Sequence, residues 1–280
     1  MVSQWLNRST NKKVLALGLG LCFLFLAFGV AAHPLMPFFS GSGSAVSGTG
    51  GGGSCVDSNT ATTRLLIHSN TTDGSVVFVD SSVGGKGGTG HTITANGAVH
   101  HEIDQQYFGT TSIYFDADND YFTLADHSDW YLGTTSFTFA VWIRPANVVG
   151  EKTLFQLVSA TTNEEFRIGL EDAKLKTLYT AGGASEINFL TGTTNIVASV
   201  WTHVALVRDG NDWIMFLNGV SNVSLTNTVS LQNFTNGPAI GYRRVAINNY
   251  FYYGYLDEIV FDCSALWTTS FTPPVLPYCD

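Results

Sequence analysis

From Arg64 to the C-terminus the sequence alternates apolar and polar residues with a period of two, in short runs broken by Gly, Asn, Asp and Ser. Such a period sends successive side chains to opposite faces of an extended chain, and no stretch here carries the 3.6-residue repeat of an amphipathic helix. In residues 136–145 (SFTFAVWIRP), Phe137, Phe139, Val141 and Ile143 share one face, while Thr138, Ala140, Trp142 and Arg144 share the other. Pro145 closes the run. Residues 165–170 place Phe166, Ile168 and Leu170 together, and residues 254–262 (GYLDEIVFD) read as a further strand. The runs 201–208 and 213–218 flank Asp209-Gly210-Asn211-Asp212, a hairpin signal. The pattern predicts an all-β fold, and about 215 residues of such strands suit one β-sandwich domain.

The region before this domain is of another kind. Residues 1–13 hold Arg8, Lys12 and Lys13, and residues 14–32 (VLALGLGLCFLFLAFGVAA) contain no charge, enough apolar length to cross a bilayer as one hydrophobic helix. With the basic residues before it, the N-terminus is expected to stay cytoplasmic and the remainder to be exported. The run fits an uncleaved single-pass anchor by its length, and a cleaved secretory leader by the small residues Val30-Ala31-Ala32. Leu19-Gly20-Leu21-Cys22 matches a lipoprotein box only loosely, and Cys22 reads as an apolar residue of the helix. Residues 33–63 read as a linker, dense in Gly and Ser as far as Ser54, with no means of burying a core.

Charge narrows the partners. The chain carries 13 Lys+Arg against 22 Asp+Glu, and the three basic residues named above are the only charges before Asp57. The exported part therefore holds 10 basic and 22 acidic groups. An acidic surface repels phosphate backbones, so no nucleic-acid partner is expected.

The segment Trp201-Thr202-His203-Val204-Ala205-Leu206-Val207-Arg208-Asp209-Gly210, followed by Phe216-Leu217-Asn218-Gly219-Val220, resembles the signature hairpin of laminin G-like domains of the concanavalin A-like lectin/glucanase superfamily. Residues 112–121 (SIYFDADNDY), 137–145 (FTFAVWIRP) and 254–259 (GYLDEI) match in the same order, and the tail 265–278 (ALWTTSFTPPVLPY) resembles the endings of such domains in phage and other viral surface proteins. The resemblance implies a jelly roll of two antiparallel sheets. It implies function less sharply, because this scaffold serves lectins, hydrolases and coat proteins. Two roles follow from it: a glycan- or surface-binding module, membrane-anchored or secreted, and a virion component packed against neighbouring coat proteins.

Hydrolysis is not expected. Glucanases of this superfamily set paired carboxylates on one strand face, and the nearest match, Glu102-Ile103-Asp104-Gln105-Gln106-Tyr107, has tyrosine where the second glutamate belongs. Glu164-Glu165 and Asp257-Glu258 are adjacent, so in a regular strand their side chains diverge. Residues 84–90 (GGKGGTG) lack the spacing and ending of a phosphate loop and read as a flexible turn. His100-His101 reads as a surface pair in a loop, without a third metal ligand at useful spacing. The acidic run Asp116-Ala117-Asp118-Asn119-Asp120 lacks the Gly and Glu of a calcium-binding EF-hand loop and reads as a polar turn.

The resemblance implies one structural calcium ion, held by Asp257 with a carbonyl from Gly109; the alternative is that Asp257 only accepts backbone hydrogen bonds. In the aromatic run 250–255, Tyr250 and Tyr252 are candidates to stack on sugar rings with Asn248 and Asn249 bonding hydroxyls. The alternative is that one alternating set fills the core and the other covers sheet surface. Cys55, Cys263 and Cys279 leave an odd number of thiols in the exported part, and any pair of the three is open. Asn70, Asn222 and Asn233 head glycosylation sequons that matter only in a eukaryotic secretory route.

Overall fold

A computed structural model describes residues 55–56, 59–159, 165–180, 187–244 and 250–280. The hydrophobic helix expected over residues 14–32, Cys22 and most of the linker lie outside the described residues, as do Glu164, Asn248 and Asn249. The chain enters with β1 (Thr63–Ile67), β2 (Ile93–Asn96), β3 (His100–Glu102), β4 (Ser112–Asp116) and β5 (Tyr121–Leu124). The long central strands follow: β6 (Phe137–Pro145), β7 (Glu151–Val158), β8 (Glu165–Glu171), β9 (Lys174–Thr180), β10 (Ile187–Thr191), β11 (Thr202–Asp209) and β12 (Asp212–Leu217). The last are β13 (Val220–Thr226), β14 (Asn236–Ile240), β15 (Tyr242–Arg243), β16 (Tyr250–Phe251) and β17 (Tyr253–Asp262).

Two antiparallel sheets face each other. One runs β13-β12-β11-β6-β17-β4-β3 with β1 also on β17, and the other runs β10-β9-β8-β7-β14-β5-β2. The alternation in β6 falls as its sequence dictates. Phe137, Phe139, Val141 and Ile143 enter the common core, where Phe261 of β17 stacks on Phe137 and on Phe155 of the opposite sheet at centroid distances of 5.6 and 5.3 Å. The Asp209–Asp212 hairpin joins β11 to β12 with Asp209 opposite Asp212.

The outer face of the first sheet is apolar as well, which explains the unbroken runs in β6 and β11. Ala140, Ala205, Val207 and Phe216 are covered by Ala265, Trp267 and Phe271 of the C-terminal tail. A smaller cluster, Leu66, Val260 and Val56, is covered by Tyr278. Cys55 and Cys279 form a disulfide across a Cα–Cα distance of 5.2 Å, and Val56 bridges Tyr278 as a parallel pair. The fold therefore takes in Cys55, Val56 and Asn59 onward, residues that composition alone assigns to the linker. Cys263 is the remaining described cysteine; it is half-buried against the core, and burial pushes its thiol pKa up.

His203 lies under the tail, with its ring 5.1 Å from Trp142, 5.8 Å from Trp267 and 5.7 Å from Phe271. Burial drives its pKa down to about 3. Between pH 6.5 and that value the unfolded chain binds a proton that the folded chain refuses. Stability is therefore complete above pH 6.5 and falls as the pH drops, by up to about 1.4 kcal/mol per pH unit. Urea melts from pH 7 to pH 4 are expected to show His203→Leu losing less stability than wild type over that window, and parallel curves would contradict this.

Candidate functional site

β17 determines where a site opens. One edge of β17 pairs with β6, from Gly254 opposite Pro145 to Asp262 opposite Thr138. Along the other edge, β4 pairs with residues 253–256 and β1 with residues 259–262. The neighbour changes at Asp257 and Glu258, where the β6 register shifts and Glu258 takes a left-handed φ of 50°. A bulge of this kind re-aims side chains. Asp257 turns to the loop before β4, and Glu258 turns toward the chain leaving β1.

A groove of about 480 Å³ opens there, within the ~300–1,000 Å³ span of small-ligand sites. Its lining includes His68, Asn70 and Thr71 after β1, Val77 and Val79 from the following segment, and Phe108 and Gly109 before β4. Glu258 forms part of the floor, and Tyr278 and Asp280 arrive with the disulfide-bound tail. Gly109 has a φ of 59°, in the left-handed region that favours glycine, and a Cβ there would lie 2.6 Å from Asn70 Oδ1. Asn70 Oδ1 in turn accepts from the Thr110 amide and hydroxyl.

The polar groups of the floor are tied together. His68 Nδ1 lies 2.7 Å from Glu258 Oε1, and its Nε2 lies 3.4 Å from Asp280. The Tyr278 amide donates to Glu258 Oε2 at 2.8 Å. Burial alone would lower the His68 pKa, but the bond to Glu258 and the charges of Glu258 and Asp280 outweigh it and hold it above the ordinary value. His101 Nε2 lies 3.0 Å from the Val77 carbonyl, which assigns it the proton, so Ser69 Oγ donates to His101 Nδ1 at 2.6 Å. His100 and His101 are thus part of β3, with His101 buried, rather than a surface pair in a loop.

Asp257 is 1% exposed. Its Oδ2 accepts the Tyr107 and Phe108 amides at 3.2 and 3.0 Å, and its Oδ1 accepts the Glu258 amide at 3.0 Å. Burial pushes its pKa up to about 8 despite those bonds. Both oxygens thus face backbone N–H groups, the arrangement expected if Asp257 accepts backbone hydrogen bonds rather than holding calcium. The acidic run 116–120 forms the β4–β5 turn, in which buried Asp120 accepts the Asp116 and Ala98 amides.

The aromatic run divides differently from the sugar-stacking expectation. Tyr252 is 0% exposed, belongs to the core, and donates its hydroxyl to the Tyr255 carbonyl, so its ring face is closed to a ligand. Tyr250 is half-buried, with the Arg243 guanidinium 5.6 Å from its ring centroid. The outward tyrosines are Tyr253 and Tyr255, grouped with Tyr114 of β4 at 6.5 and 4.9 Å. Strand alternation would have found them once Tyr252 was known to point inward. His68, Asn70 and Glu258 carry no sequence signal, because they converge from distant segments.

One further carboxylate pair sits on the outer face of the second sheet. Arg243 binds Glu165 through Nε and Nη2, both at 2.8 Å, and Glu151 through Nη1 at 3.0 Å; Arg167 Nη1 lies 2.7 Å from Glu151. Gln156 also donates to Glu165. Guanidinium groups thus occupy both Glu165 oxygens, and neither is presented as a nucleophile.

With this geometry, comparison with known proteins identifies the class. The family model for laminin G-like domains, described as the concanavalin A-like lectin/glucanases superfamily, matches residues 116–266, just over half of the chain. The chain belongs to this family. Among solved structures it is similar to the binding domain of Paraclostridial Mosquitocidal Protein 1, with TM-score 0.56 and 14% identity, covering 74% of this chain and 50% of that one. It is also similar to domain 4 of AbnA, a GH43 extracellular arabinanase from Geobacillus stearothermophilus solved in complex with arabinotriose, with TM-score 0.54, 19% identity and coverage of 73% and 94%. The binding domain of botulinum neurotoxin serotype G matches with TM-score 0.53, 12% identity and coverage of 73% and 48%. The chain spans about half the length of the two toxin domains. No curated protein sequence matches it.

Proposed function

We propose that this domain is a non-catalytic recognition module that holds a short glycan in the groove beside Glu258, displayed outside the cytoplasm on a tether formed by the residues before Cys55. The observation that carries this reading is the groove itself. Val77, Val79 and Phe108 offer apolar walls for the C–H faces of a sugar, and Asn70, Thr71, His68 and Asp280 offer polar groups for its hydroxyls. The similar arabinanase domain, solved with a trisaccharide, supports the reading. Because the Asp257 oxygens are turned to backbone amides, this recognition does not depend on calcium.

The test is a glycan array probed with the exported region, residues 33–280, in calcium and again in EDTA. Saturable binding to a defined glycan set, equal in both buffers, is the expected result. A blank array from protein with a cooperative thermal transition would overturn the reading.

A further inference from the structure

The opposite end of the chain's first strand carries a second arrangement that the groove does not use. His91, just before β2, and His127 and Asp129, at the short 3-10 turn Ser128–Trp130 after β5, bring one ligand atom each to within 4.8 Å of one another. His91 Nε2 lies 2.9 Å and His127 Nδ1 3.2 Å from the same oxygen, Asp129 Oδ2. A tetrahedral zinc ion with bonds of about 2.0–2.1 Å holds its ligand atoms about 3.3–3.4 Å apart, and each histidine nitrogen stands near that spacing from the shared carboxylate oxygen.

His127 is held by the same turn, because its Nδ1 accepts the Asp129 backbone N–H at 3.2 Å. A metal ion bound at Nδ1 would take the place of that long bond. The surroundings hold the ligands in place. His91 is buried and packs against Trp130 at 4.5 Å, and its backbone N–H is fixed by Asp80 Oδ2. The glycine-rich segment 84–90, read from sequence as a flexible turn, instead wraps the site and donates the Lys86 amide to Asp129 Oδ2 at 2.7 Å. Gly84 and Gly85 make that wrap possible, because a Cβ on either would collide with the backbone of β1 and the residues just before it. Arg64 Nε stands 3.8 Å from the other carboxylate oxygen, Asp129 Oδ1.

We infer that His91, His127 and Asp129 form a binding site for a divalent transition-metal ion of the zinc class. The mixed nitrogen and oxygen donors suit such an ion better than calcium, which takes oxygen ligands. Three protein ligands leave a fourth position for water, on the side where His127 is partly exposed. Coordination takes the His91 Nε2 lone pair, so the proton now shared with Asp129 moves to Nδ1 or is released to solvent.

The test is a titration of the metal-stripped full chain with Zn2+ by calorimetry, and with Co2+ read by its visible absorption. One ion per chain, a higher Tm with zinc and a tetrahedral cobalt spectrum are expected. His127→Ala and, separately, Asp129→Asn should each weaken zinc binding by at least about tenfold and remove the cobalt spectrum. His100→Ala should change neither. The absence of stoichiometric binding in wild type, or binding that survives His127→Ala in a protein that still melts cooperatively, would overturn the inference.

Discussion

Replacing Cys55 and Cys279 together by serine is expected to lower the unfolding free energy by on the order of 5 kcal/mol, because the bond closes nearly the whole domain into one loop, 224 residues apart in sequence. The cost arises in the unfolded chain, whose ends are then free to separate, and it grows only logarithmically with loop length. The local consequence is sharper. The pair fixes the tail from Pro277 to Asp280, and with it Tyr278 over Leu66 and Val260 and the Tyr278 amide on Glu258. Without the bond, this end of the groove is expected to open before the sandwich melts. Guanidinium unfolding of wild type with and without reductant, beside the double variant, checks the prediction. Reduced wild type and variant should coincide, well below oxidised wild type. Equal midpoints for all three would show that the tail is held without the disulfide.

Arg243→Ala is expected to cost about 3–5 kcal/mol. The side chain is buried among Glu151, Glu165, Arg167 and Gln156, and its guanidinium donates hydrogen bonds to both carboxylates. Its loss leaves two buried anions facing one guanidinium, and an unpaired buried charge costs far more than a surface ion pair returns. Burial already pushes Glu151 above its ordinary carboxyl value with both arginines in place. Removing Arg243 raises it further and makes the variant more tolerant of acid than of neutral pH. Replacing Arg243 and Glu165 together by methionine should recover most of the stability, since shape is kept without an unpaired charge. Denaturant melts of the single and double variants measure both effects. A single variant within 1 kcal/mol of wild type, on the order of a surface ion pair, would contradict this account.

Much of the fold is legible in the sequence because it depends on local pattern. The four inward residues of β6, the Asp209–Asp212 turn and the strand at 254–262 all follow from period two and turn chemistry. The site is not legible in the same way. The groove exists because β17 changes neighbour from β4 to β1 at a bulge, and nothing in the letters Asp257-Glu258 announces a left-handed φ at a glutamate. Alternation alone also does not give the phase of the aromatic run. Tyr252 precedes β17 and points inward, so the tyrosines left on the outside are Tyr253 and Tyr255. The disulfide could not be chosen from three cysteines until the first and last segments were seen to meet as Val56 beside Tyr278.

The central claim is that a glycan is held in the groove beside Glu258. The measurement that tests it most directly is the affinity of an array-selected glycan for wild type, Asn70→Ala and the outer-sheet variant Lys174→Ala, all by calorimetry. Binding weakened at least about tenfold in Asn70→Ala and unchanged in Lys174→Ala is the predicted result, a loss of about 1.4 kcal/mol or more. Full affinity in Asn70→Ala would place recognition elsewhere on the sandwich and contradict the account.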